Sequence, residues 1–211
     1  AASLGFEQQL IVRETEFRME PAQEAPGIQE LYRRLADDEE RNRRILDDVL
    51  QALEQGRSPI VLTERRDHLD FLAHALGGVA KNLVVLRGGM GARQRREVAE
   101  RLAGVPEGEE RLLLATGRFI GEGFDDARLD TLFLALPVSW RGTLVQYAGR
   151  LHRSRQGKTQ VRIYDYVDRG LPVLEKMFAR RLAGYRGMGY RLEQAAGLEE
   201  AADGGGYVVD Y

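Results

Sequence analysis

Five short strand-like segments, at Ile60–Leu62, 82–86, 111–115, Thr131–Leu136 and Gln160–Val167, the first four mostly apolar and the last interrupted by polar residues, are separated for the most part by segments that read as helices. That alternation leaves few folds open. Runs so short and so continuously apolar read as strands buried on both faces, and strands separated by helices pair in parallel. The expected class is α/β, a three-layer domain whose mainly parallel sheet is covered by helices on both sides. An amino-terminal strand and a helical segment precede it. Gln9 to Phe17 reads as an edge strand and linker ending at Pro21 and Pro26. Ile28, Leu31 and Leu35, then Ile45, Val49, Leu50 and Leu53, mark two helices or one bent helix, with Asp37 or Asp38 available as a cap. After Pro172 a helix carrying Leu174, Met177, Phe178 and Leu182 closes the domain, and Asp203 to Gly206 reads as a flexible tail. The expected organisation is a lead-in over 1–55, a core over 56–190 and a tail over 191–211.

With 211 residues, 43% of them hydrophobic, the chain can bury a proper core as one domain with appendages. Cysteine is absent, so disulfides and thiolate metal ligation are excluded and an intracellular, cytoplasmic setting is the default expectation. No apolar run approaches the roughly 20 residues that span a bilayer. The net charge of −2 argues against a protein that coats nucleic acid, but binding needs only a local positive surface. Such a stretch exists. Arg141, Arg150, Arg153, Arg155, Lys158 and Arg162 follow one another without an Asp or Glu between them.

Two segments carry the chemistry. In Gln146-Tyr-Ala-Gly149-Arg150-Leu-His-Arg153 two arginines stand three apart directly after a Gly. Guanidinium groups are always charged and grip phosphate oxygens in a bidentate fork, so the pair suits charge stabilisation in phosphoryl transfer. A basic loop on a solvated surface is the alternative. Upstream, the apolar run Leu112 to Ala115 breaks into the Gly-rich, acidic stretch Thr116-Gly-Arg-Phe-Ile-Gly-Glu-Gly123-Phe-Asp125-Asp126, a buried strand feeding a loop.

In order and separation these segments resemble motifs V (Thr116 to Asp126) and VI (Q-x-x-G-R-x-x-R, Gln146 to Arg153) of the second RecA-like domain of superfamily 2 helicases. The resemblance spans roughly Arg41 to Asp168. It is closest to the DEAD/DEAH-like branch that includes type III restriction subunits and XPB-type DNA translocases. It implies a RecA-like, P-loop NTPase-like fold and the carboxyl-terminal motor domain of an ATP-dependent DNA helicase or translocase. Arg150 and Arg153 match the arginine fingers that reach across a cleft to ATP, and Gln146 and Gly149 stand beside them. Gly123 and Asp125 match positions that approach the nucleotide, the carboxylate suiting a ribose hydroxyl; an Asp capping the next turn is the alternative.

Thr116 matches the threonine that contacts the nucleic-acid backbone, and Thr63 sits where motif IV begins and suits a phosphate contact, with an ordinary helix cap as the alternative. Arg87 and Gly88, with Gly89, could add another backbone-binding turn. Arg118 and Glu122 read as loop organisers, and Trp140 as a packing anchor in preference to a base-stacking residue.

Two look-alikes fail. Gly157-Lys158-Thr159 resembles the end of a Walker A loop, but His152 stands where its first Gly is required and a strand, not a helix, follows. Gly89-Met-Gly91 starts like a dinucleotide fingerprint, but Gln94 occupies the third Gly position. His68, His74 and His152 form no metal-ligand pattern, and His68 and His74 are expected on a helix surface.

Since neither Walker A nor Walker B occurs, the resemblance implies that ATP and Mg²⁺ are held mainly by a first RecA-like domain of the same protein. The chain, which does not begin with Met, is therefore expected to be a piece of a longer one and inactive alone; removal of an initiator Met before Ala1 is the alternative account of that start. Expected partners are that domain and nucleic acid, DNA in preference to RNA, and no membrane. A non-hydrolysing nucleic-acid-binding or regulatory module of the same fold is the alternative; a small-molecule enzyme finds no nucleophile or acid–base pair to support it.

Overall fold

Each continuous apolar run forms a strand and each periodic segment a helix. In the computed structural model, which describes residues 5–19, 26–117, 126–138 and 141–193, β1 (Glu7–Glu14) leads into α1 (Ile28–Asp37) and α2 (Glu39–Glu54). Then follow β2 (Pro59–Thr63), α3 (Arg66–Leu76), β3 (Leu83–Leu86), α4 (Ala92–Ala103) and β4 (Leu112–Thr116). The remainder is β5 (Thr131–Leu134), α5 (Arg141–Leu151), β6 (Gln160–Val167), α6 (Pro172–Gly187) and β7 (Arg191–Leu192). Among these helices none is long and apolar enough to cross a membrane.

The strands form one seven-stranded sheet in the order β3-β4-β2-β5-β6-β1-β7, and every pairing is parallel. Side chains alternate across a strand, so β4 divides its apolar residues between two cores. Leu113 and Ala115 join a core with Leu62, Ile163 and the helix residues Leu144, Ala148, Leu151 and Tyr185. Leu112 and Leu114 face the opposite core, with Ile45 and Val49 of α2 and Leu69, Leu72 and Leu76 of α3. The result is the three-layer α/β architecture that the alternation predicts. A third cluster of Phe17, Leu31, Leu35, Leu136, Leu174 and Met177 packs α1 against the start of α6.

The lead-in differs from expectation at one point. β1, read as an edge strand, lies inside the sheet, paired with β6 from Glu7↔Gln160 to Glu14↔Val167 and flanked by β7 through Gln9↔Arg191 and Leu10↔Leu192. The second flank is supplied by β7, and the Glu193 N–H just beyond it donates to the Leu10 carbonyl at 2.9 Å, so backbone groups that an edge strand leaves open are paired. The two helices are separate. Asp38 adopts an extended conformation that ends α1, and its carboxylate accepts from the Arg41 N–H at 2.7 Å to cap α2.

Candidate functional site

The carboxyl ends of adjacent strands β3, β4 and β2 form one rim. Register pairs Thr63 with Thr116, and the Gly88 N–H just beyond β3 donates to the Thr116 hydroxyl at 2.9 Å. The sequence candidates Thr63, Arg87, Gly88 and Thr116 are thus gathered along that rim. Arg87 is exposed and ion-paired to Asp70, and the Gly88 carbonyl lies 3.5 Å from an Arg66 guanidinium nitrogen. Thr116 is 8% exposed.

Thr63 requires a correction. Its side chain is 1% exposed and its hydroxyl is engaged inside the protein, 3.0 Å from His68 Nδ1 and accepting from the Arg65 N–H at 3.3 Å. It shapes the turn between β2 and α3 and offers no hydroxyl to a phosphate. His68, expected on a surface, is 2% exposed, with Nε2 2.8 Å from Asn42 Oδ1. Because the Asn42 amide nitrogen donates to the Ala36 carbonyl, its oxygen faces the ring and accepts from Nε2–H. Nδ1 is then bare and accepts from Thr63. Burial, reinforced by the Arg41 charge, pulls the His68 pKa down to about 3, so the ring stays neutral. His74 is exposed, as expected.

Motif VI folds as the last turns of α5 as far as Leu151, and its final residues lie just beyond the helix. Leu144, Tyr147, Ala148 and Leu151 form the buried side of α5, leaving Gln146 and Gly149 exposed and Arg150 partly so. Arg153 is exposed just past the helix end. Gln146 and Arg150 are one helical turn apart, and so lie on the same face. At the carboxyl end, the Lys158 ammonium donates to the carbonyls of Leu151 at 3.1 Å, Arg153 at 2.8 Å and Leu129 at 2.8 Å. The Gly157-Lys158 pair is therefore a turn, with Gly157 at φ 83°, whose lysine faces backbone oxygens.

Among the described residues a side-chain hydrogen bond links the α5 helix to the strand rim. The Tyr147 hydroxyl donates to Glu64 Oε1 at 3.2 Å, directly over Gly117. Any Cβ at Gly117 would overlap that hydroxyl and lie 2.5 Å from the Glu64 carboxylate, so the Gly after Thr116 is a steric requirement. Glu64 keeps exposed surface, yet protein around its carboxyl pushes the pKa up, against the lowering effect of the Tyr147 hydrogen bond. Burial likewise raises the Tyr147 pKa, with Glu64 adding to it.

Glu64, His68, Gly117, Tyr147 and Lys158 were not among the candidates. Tyr147 occupies an unspecified position of Q-x-x-G-R, and Glu64 gains its partner only through the tertiary fold. Gly123 and Asp125, with Arg118, Glu122 and Trp140, lie outside the described residues. Among the described residues no three His, Cys, Asp or Glu side chains gather where they could hold a metal ion.

The model of the helicase conserved C-terminal domain matches residues 41–155, more than half of the chain. The chain belongs to that family. Transcript termination protein A18 of fowlpox virus (strain NVSL) is 25% identical over 154 residues, which cover 71% of this chain and 32% of the relative. This helicase C-terminal domain therefore spans about a third of that relative's length. The crystal structure of T4 UvsW superposes over 90% of this chain and 41% of its own, with a TM-score of 0.68 at 16% identity. Domain 2 of the DEAD-box helicase Mss116p, bound to an RNA duplex, covers 90% of this chain and 65% of its own, with a TM-score of 0.58 at 14% identity. The E. coli DEAD-box protein SrmB, bound to the regulator of ribonuclease activity RraA, gives 0.54 at 20% identity over 83% and 85%. These likenesses establish the fold alone, the RecA-like α/β architecture.

Proposed function

We propose that the chain is the carboxyl-terminal motor domain of an ATP-dependent DNA helicase or translocase, completed by a first RecA-like domain of the same protein. The observation that carries the reading is the placement of Gln146, Arg150 and Arg153 along one side and end of α5. That helix is tied through Tyr147 and Glu64 to the rim bearing Thr116 and Gly88. A nucleotide-facing group and a strand-facing group so joined are what a motor needs, because a change at one must be felt at the other.

The residues fit a triphosphate. Arg150 and Arg153 carry fixed positive charge beside solvent, Gln146 offers a neutral donor one turn away, and Gly149 allows close approach. ATP with Mg²⁺, held mainly by the first domain, would supply the phosphoryl group and the metal charge. Here Arg150 and Arg153 would neutralise charge on the transferring group, with Gly123 and Asp125 beside the nucleotide. Thr116 and the Arg87–Gly88 turn would face the nucleic-acid backbone, and Thr63 would position the turn next to them. Phosphate contacts of this kind hold a strand without reading its sequence.

In this reading the motor core over 56–190 is completed by β1 and α2 of the lead-in and by β7, and the residues after β7 are the tail of a cytoplasmic protein. DNA in preference to RNA follows the resemblance to restriction and repair translocases. The Mss116p structure, with its RNA duplex, makes comparison of the two polymers part of the test.

In the protein that carries both RecA-like domains, Arg150→Ala with Arg153→Ala should lower nucleic-acid-stimulated ATP hydrolysis by about 10³-fold or more. DNA binding should be retained, and DNA should stimulate the unsubstituted protein more than RNA of equal length. Unchanged hydrolysis in the double variant sinks the arginine-finger assignment.

A further inference from the structure

Lys158 lies outside the residues assigned to nucleotide or nucleic acid, and its sequence context resembles a phosphate-binding lysine without being one. Its ammonium has three donors, and three backbone carbonyls take them, those of Leu129, Leu151 and Arg153. Leu151 is the last residue of α5, where carbonyls lose their intrahelical partners and a positive charge complements the helix dipole. Arg153 follows in a stretch without regular structure, so its backbone is held by no helical ladder. Leu129 belongs to the short segment that leads from Asp126 into β5. A tight turn delivers the lysine: its N–H donates to the Arg155 carbonyl at 3.1 Å, and Gly157 adopts the left-handed conformation that the reversal requires.

We propose that Lys158 is a positioning residue for the reaction, a three-way clamp that fixes the backbone of Arg153 against the segment preceding β5 and so sets where the second arginine points. The inference rests on the arginine-finger reading above. A side chain as long as arginine magnifies a small rotation of its own backbone, and a misplacement of about 1 Å at a reacting group costs on the order of 10²-fold in rate. The clamp also joins the end of motif VI to the segment that follows motif V, so displacement of one is transmitted to the other without passing through the Tyr147–Glu64 contact. Lysine suits the task better than arginine, because three convergent carbonyls around one point match an ammonium and not a planar fork.

The test is a double-mutant cycle in the protein with both RecA-like domains, measuring DNA-stimulated ATP hydrolysis. Lys158→Met keeps the aliphatic stem and removes the donors; Lys158→Gln keeps a neutral donor and serves as second variant should the first not fold. The expected result is a fall in kcat of about 10- to 100-fold with KM for ATP changed less than about threefold. In an Arg153→Ala background the same substitution should cost almost nothing further, because its effect passes through Arg153. Full, additive losses in both backgrounds, or no loss from either Lys158 variant while Arg153→Ala is slow, overturn the clamp and leave the arginine fingers standing. Normal turnover by Arg153→Ala alone overturns the finger assignment at Arg153, and this inference with it.

Discussion

Acidification should weaken the protein through a single buried ring. His68 is neutral in the fold because burial and the nearby Arg41 charge disfavour its imidazolium, and its pKa falls from the ordinary 6.5 to about 3. In the unfolded chain the ring is solvated and takes up a proton below about 6.5. Between these values the unfolded state binds the extra proton, so stability contributed through His68 is fully present above pH 6.5 and declines as the pH falls towards 3.

Each pH unit in that window is worth about 1.4 kcal/mol, so at pH 4.5 the loss reaches about 2.7 kcal/mol relative to neutral pH. His68→Gln, which cannot titrate, isolates the effect. At pH 7.5 it should be less stable than the parent by about 1–3 kcal/mol, since Thr63 and Asn42 lose well-placed partners. By pH 4.5 the parent's advantage should have shrunk by about 2.7 kcal/mol and closed or reversed. Urea unfolding of both proteins across this range measures the difference directly. A gap that stays constant from pH 7.5 to 4.5 would mean that His68 accepts a proton within the fold, refuting the tautomer chain from Asn42 to Thr63.

Two further outcomes follow from contacts near the site and in the core. Gly117→Ala should cost about 1–3 kcal/mol by forcing Tyr147 and Glu64 apart, and adding Tyr147→Phe should recover part of it, since the overlapping hydroxyl is gone; thermal unfolding of the parent and the two variants tests this, and an unperturbed Gly117→Ala protein contradicts the packing described. Asp165 pairs with Arg181 through two hydrogen bonds of 2.7 and 2.9 Å and accepts from Tyr185 at 2.7 Å, with both charged side chains almost fully buried. Asp165→Ala should therefore destabilise by about 3–5 kcal/mol in chemical denaturation because it strands a buried guanidinium, and a loss below about 1 kcal/mol would show that water reaches Arg181.

The site is a product of the sheet's carboxyl edge. Parallel strands point the same way, so every loop that follows one arrives on the same side, and crevices there are where α/β proteins place their ligands. Thr116 and Gly88, distant in sequence, share a hydrogen bond because β3 and β4 are neighbours in the sheet. The same packing turns Thr63 inward. A threonine at a strand end is equally able to face solvent or the following turn, and His68, five residues on, decides for the turn by presenting a bare nitrogen.

What could be read along the chain was whatever depends on neighbours in sequence. Continuous apolar runs announced strands buried on both faces, helical periodicity announced α2, α3 and α6, and the order of the two motifs with their glycines and arginines pointed to the family. These are local signals, set by backbone geometry and by the period at which side chains meet a core. Tertiary structure decided what depends on strand order and burial. It placed β1 between β6 and β7 and buried His68 against Asn42. It also brought Glu64 to Tyr147 across 83 positions of chain and turned Lys158 from the semblance of a phosphate ligand into a clamp on three carbonyls. A lysine's or histidine's role is fixed by which partners share its pocket, and those partners are selected by the folding of the whole sheet.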